Sequence, residues 1–200
     1  LWYNANHQAV GDARVSPGVR MSEPVNTAPM LREGDKAPLG LRVLDSEGRK
    51  TSLASFAGRY VILYFYPENG SPDCTRQACG IRDARAEIEK LGAVVIGVSP
   101  DSPASHQAFI AKNALNFPLW SDQRHALMEE FGAWRIVPFM GDAYTRLNRS
   151  TYAIKPDGTI AKVWENVNPE RHSKDIVDYL KGLRSSNLLR RLLRKLPLIE

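Results

Sequence analysis

A chain of 200 residues and 22.4 kDa, 43% hydrophobic and 24% charged, is sized for one globular domain with a buried core. Two cysteines are too few for a disulfide-stapled secreted scaffold, and no run reaches the roughly 18 to 20 apolar residues of a membrane-spanning helix. Much of the formal charge of +5 lies in a tail where Arg190, Arg191, Arg194 and Lys195 cluster without stacking aromatics, so nucleic acid is not an expected partner. The N-terminus lacks a basic region, apolar block and small-residue cleavage site in succession, and a cytoplasmic location is expected.

Residues 1–31 show no periodicity and read as an N-terminal extension; the main domain is expected over 32–183. Leu41 to Gly48 reads as a strand and turn, and Thr51 to Phe56 leads into an apolar strand over Tyr60 to Tyr66. Ser71 or Asp73 can cap a helix reaching about Leu91, followed by a buried strand over Ala93 to Ser99 and a helix from Pro103 to Ala114. Phe117 to Trp120 is a short strand, Asp122 caps a helix to about Phe131, and Gly132 to Arg146 is expected to be irregular. The turn Pro156-Asp-Gly158 joins strands Ser150 to Lys155 and Thr159 to Trp164, and Pro169 to Leu183 has helical periodicity. Residues 184–200 carry leucines at 188, 189, 192, 193 and 196 between basic residues, a basic amphipathic helix or tail. A helix packed on its own domain or a sister subunit, a partner-docking helix and an interfacial membrane helix all fit that pattern. The element order implies an α/β fold, a central mixed sheet flanked by helices.

The chemistry concentrates at Cys74 and Cys79, five residues apart in Tyr66-Pro-Glu-Asn-Gly-Ser-Pro-Asp-Cys74-Thr-Arg-Gln-Ala-Cys79-Gly, directly after the apolar strand. A turn leaving that strand delivers a thiol to the start of a helix, where unpaired N–H groups and the helix dipole favour an anion. The sulfur is poised to be a thiolate. His7, His106, His125 and His172 are scattered at no ligand spacing, so no metal site is expected. His106 and His125 read as solvated helix residues, and the tryptophans at 120, 134 and 164 as packing or pocket walls. The sequence contains no Walker loop, dinucleotide fingerprint or serine-hydrolase elbow.

The same segment resembles the peroxiredoxins of the bacterioferritin comigratory protein type, whose signature is Pro, three residues, Thr or Ser, two residues, Cys. Pro67, Ser71 and Cys74 occupy it, and Gly34-Asp-Lys-Ala-Pro38, Leu127 to Gly132 and Asn148 to Ile154 extend the likeness over 31–183. The resemblance implies a thioredoxin-like fold and a peroxide substrate. It implies Cys74 as the peroxidatic cysteine, Cys79 as the resolving one, and Arg149 as the arginine joining the site from a neighbouring strand. It further implies thioredoxin or glutaredoxin as reductant, no cofactor, and a monomer. Serine in place of threonine keeps the hydroxyl and loses the methyl that restricts its rotamer, so slower or less selective turnover is expected.

Physical chemistry is consistent with these roles. A free thiol is only a few per cent thiolate at neutral pH, and making the anion predominate takes about 2.7 kcal/mol. A helix N-terminus supplies about 0.5 to 2 kcal/mol and a charge-assisted bond from Arg149 about 1.5 to 3, so the two together suffice. Ser71 can hold the peroxide oxygen or donate toward sulfur, and Pro67, with no N–H, can shield the pocket from water. Two other classes stay open at the level of sequence: a thioredoxin-type disulfide carrier, and a non-catalytic protein that docks through its basic tail.

Overall fold

The computed structural model describes the backbone of residues 30–139 and 142–193, with side chains over 30–135 and 147–186. The expectations for residues 1–29 of the N-terminal extension and for the last seven residues of the tail fall outside these residues, while Met30 and Leu31 pack against the core. A seven-stranded sheet has the order β2-β1-β5-β4-β3-β8-β9, where β1 is Val43–Asp45, β2 Lys50–Thr51, β3 Tyr60–Phe65, β4 Ala93–Ser99, β5 Leu119–Ser121, β8 Thr151–Ile154 and β9 Ile160–Trp164. Strands β3, β4 and β5 run parallel, while β1, β8 and β9 are antiparallel to their inner neighbours. The sheet is therefore mixed. A second antiparallel pair joins β6, Trp134–Phe139, to β7, Asp142–Leu147.

Period-two alternation on β3 builds the core. Val61, Leu63 and Phe65 bury against one apolar cluster with Trp120, Leu127, Phe131 and Tyr152. Ile62, Tyr64 and Tyr66 face the other, which helices α1 (Pro72–Lys90), α2 (Pro103–Asn113) and α4 (His172–Leu193) cover with Cys74, Ile81, Ile88, Phe109, Ile176 and Leu180. Both faces of β3 are thus dry, which accounts for its uninterrupted apolar run. Helix α1 begins where its sequence says it should: Ser71 is the N-cap, Pro72 occupies the first turn, and Gly92 with φ of 89° turns the chain into β4.

Several expectations are corrected. Gly132 to Arg146 is not irregular: its backbone forms the β6–β7 hairpin, with Pro138 opposite Ala143. A two-stranded ribbon leaves one edge of each strand free, where the missing proline N–H costs nothing. Helix α3 (Ala126–Glu130) starts after His125, whose φ of 60° makes it the boundary residue; Asp122 acts from farther back, its carboxylate accepting from Met128 N–H at 2.8 Å. Helix α4 starts at His172 rather than Pro169, and its backbone continues past Leu183 to Leu193 without a break. His106, expected to be solvated, is fully buried, with its Nε2 3.1 Å from the Trp120 carbonyl. No helix among the described residues is long and apolar enough to cross a membrane.

Candidate active site

The parallel register of β3 on β4 carries the chain out of the sheet at Phe65, and residues 67–70 turn it into the N-terminus of α1. The Cys74 N–H donates to Ser71 Oγ at 3.4 Å, leaving the serine O–H free to point at sulfur or at a bound oxygen. Cys74 is only 2% exposed, packed among Ala78, Ile81 and the β3 residues Ile62 and Tyr64. Both thiols are free; Cys79 is half-buried about a turn and a half farther along the same helix. Pro67, half-buried, stands where the turn begins.

Arg149 arrives from the other neighbour of β3. Its segment is pinned on both sides: Phe65 N–H donates to the Ser150 carbonyl at 2.9 Å, Val167 N–H to the Arg149 carbonyl at 3.1 Å, and Asn148 N–H to the Ala133 carbonyl at 2.7 Å. Arg149 shares the parity of Thr151 and Ala153, which places it on the helix-bearing face. There its Nη2 donates to Cys74 Sγ at 3.4 Å while Nη1 donates to Gln77 Oε1 at 2.6 Å. The guanidinium fork thus touches the sulfur and its own positioning group at once. The Arg149 cation and the N-terminal turn of α1 thus meet at one sulfur.

The arginine is held by a chain that sequence reasoning missed. Arg149 can only donate, so Gln77 must present Oε1 to it and its NH₂ to His172 Nδ1, 2.9 Å away. That nitrogen is then an acceptor, and His172 Nε2 donates to Thr151 Oγ1 at 2.9 Å. Burial, assisted by the Arg149 charge, pushes His172 down to about 3, matching the neutral tautomer this logic requires. Gln77 was within reach of sequence reasoning, since three residues after Cys74 lies on the same helical face. His172 and Thr151 meet it only through tertiary packing. Below them Tyr64 Oη is buried with no hydrogen-bond partner among the described residues, and burial first, with neighbouring Cys74 second, pushes its pKa well above the ordinary phenol value.

A mixed sheet with a cationically partnered thiol at the first turn after its central strand defines a thioredoxin-like thiol enzyme. Residues 34–163 match the AhpC/TSA family. The chain is 38% identical over 151 residues to Peroxiredoxin Bcp of Escherichia coli K12, covering 76% of this chain and 96% of that protein. It is 37% identical over 150 residues to Peroxiredoxin Bcp of Bacillus subtilis 168, covering 75% and 95%. The solved structure of Xanthomonas campestris peroxiredoxin Q superposes with a TM-score of 0.71 at 32% identity, over 76% of this chain and 97% of that one. A structure of the bacterioferritin comigratory protein of the same organism, described for its alkyl peroxide reduction activity, gives 0.69 at 31%, over 74% and 98%. The chain belongs to the AhpC/TSA family, among the peroxiredoxins of the Bcp or peroxiredoxin Q type, and is a thiol peroxidase.

Proposed function

We propose that Cys74 is the peroxidatic sulfur of this peroxidase, reducing hydrogen peroxide and alkyl hydroperoxides, and that Cys79 resolves the product within the same chain. The observation that carries this reading is the Arg149 Nη2 contact of 3.4 Å to a sulfur at the N-terminus of α1. The thiolate attacks the terminal peroxide oxygen, the O–O bond breaks, and the departing oxygen takes a proton from water to leave as water or alcohol. Sulfur is oxidised to the sulfenic acid. Arg149 and the Ser71 hydroxyl stabilise charge on the separating oxygens, and Pro67 keeps water from the pocket. Cys79 then attacks the sulfenic sulfur, expels water and closes a disulfide, which thioredoxin or glutaredoxin reopens by thiol exchange.

Closing that bond demands movement. Residues five apart on an intact helix have Cα atoms about 8 to 9 Å apart, and a disulfide needs less than about 7 Å. The start of α1, over 72–82, must unwind when Cys74 is oxidised. Gly80, about 1 kcal/mol less helix-favouring than alanine, lowers the cost. The cycle closes within one chain, which supports a monomer, and its dependence on a dithiol donor suits a reducing compartment such as the cytoplasm. Cys74→Ser is expected to abolish peroxide consumption, whereas Cys79→Ser completes one turnover and stops at the sulfenic acid. Equal, mild losses in the two variants would refute the assignment.

A further inference from the structure

A second polar network lies away from the sulfur, where the turn 67–70 meets the start of α2. Its centre is Asn69. The Asn69 N–H donates to Asp101 Oδ2 at 2.8 Å, its Nδ2 donates to Ser105 Oγ at 2.9 Å and faces His106 Nδ1 at 3.1 Å, and its Oδ1 accepts from Tyr66 Oη at 2.8 Å. Asp101 is held in turn by the hydroxyls of Ser99, at 2.7 Å to Oδ2, and Ser105, at 3.1 Å to Oδ1.

Donor logic assigns every proton. The Trp120 carbonyl only accepts, so His106 Nε2 carries hydrogen and Nδ1 is an acceptor. The Asn69 nitrogen must therefore face His106, which turns its oxygen toward the Tyr66 hydroxyl. An amide is the one side-chain type of this size that can satisfy all these partners. Alanine would lose three side-chain contacts; aspartate would set a carboxylate against the acceptor Nδ1 and the Asp101 charge.

Of the four turn residues, Pro67 has no N–H, Gly70 has no side chain, and Glu68 is exposed. Among the described residues, only Asn69 ties this turn into the fold through side-chain hydrogen bonds. Immediately beyond it Gly70, at φ 83° and with open space where a Cβ would stand, is the point at which the backbone direction changes before Ser71.

We propose that Asn69 is a positioning residue for peroxide reduction: it clamps the turn to the first turn of α2 and so sets where Pro67 and Ser71 stand around Cys74. The inference rests on the reading of Cys74 as the attacking sulfur. A positioning role differs from plain stabilisation in what it moves. Because the clamp touches neither Arg149 nor the sulfur, its loss should misplace the oxygen-binding groups and leave the thiolate in place.

The test measures, in the full chain, the second-order rate of Cys74 oxidation by hydrogen peroxide, the rate of Cys74 alkylation by iodoacetamide at neutral pH, and the melting temperature. Asn69→Ala is expected to slow oxidation about tenfold or more, since small misplacements in a pocket have effects of this size, while alkylation changes less than twofold. Ser105→Ala, which removes one partner of Asn69, is expected to slow oxidation in the same sense by a smaller factor, and it serves if Asn69→Ala does not fold. Unchanged oxidation in a folded variant overturns the clamp, as does an equal fall in oxidation and alkylation, which would place the effect on the thiolate. A wild-type Cys74 inert to peroxide overturns both the inference and the reading beneath it, so the two failures are told apart by the wild-type control.

Discussion

Arg149 does two tasks with one planar group, and this makes it irreplaceable by a simple cation. Lysine offers a compact charge on a flexible stem and cannot span Cys74 Sγ and Gln77 Oε1 with the same fixed geometry. Arg149→Lys is expected to slow Cys74 oxidation about 100-fold in stopped-flow assays, the scale of losing one preorganised donor to a developing oxyanion. A rate within twofold of wild type would mean that charge alone suffices. His172 gives a second residue-level expectation. Burial keeps it neutral down to about 3 in the fold, whereas the unfolded chain protonates it near pH 6.5. Between those limits the unfolded state binds more protons, so its contribution to stability is complete above about pH 6.5 and is lost as pH falls toward about 3. His106, also lowered by burial, adds in the same direction. Urea midpoints at about pH 7.5 and 5 should fall more for wild type than for His172→Gln; parallel falls would refute the assignment.

At the scale of elements, the helix-bearing face of the sheet is packed without slack. A Cβ on Gly97 of β4 would stand 2.7 Å from Leu119 Cδ2 and 2.7 Å from both Cζ and Oη of Tyr64. Gly97→Ala is expected to cost about 1 to 3 kcal/mol in chemical denaturation; an unchanged midpoint would show that β3 and β5 yield more readily than their burial implies. Much of this level was legible in advance. The apolar runs of β3 and β4, the Ser-Pro starts of α1 and α2 and the Pro156-Asp-Gly158 turn each carry their own local signal. The β6–β7 hairpin was not legible, because Pro138 and Gly141 speak locally for a loop and the ribbon forms by pairing that no window displays. Helix α3 was misplaced for a similar reason, since Asp122 caps it across a left-handed His125.

For the whole molecule, the site was visible in sequence only as far as its linear segment reached. Cys74, Ser71 and Pro67 lie in one string, and Arg149 was placed by its resemblance to a family pattern. Gln77, His172 and Thr151 come together only when α4 and β8 close around α1, and the Asn69 network needs β4 and α2 in place. Every one of these elements lies before Leu183, apart from the continuation of α4. We expect removal of 185–200 to preserve peroxide turnover within about twofold, since the excised turns contribute no named site group. A loss of activity with the melting temperature retained would assign the tail a catalytic task.

The central claim is that one buried sulfur takes the oxygen and its partner on the same helix takes the sulfur. The most direct measurement is peptide mass spectrometry of the reduced wild-type protein after one equivalent of hydrogen peroxide. The account predicts a single intramolecular bond between Cys74 and Cys79 for each peroxide consumed. Disulfides between chains, or a Cys74 left reduced while the peroxide disappears, would contradict it.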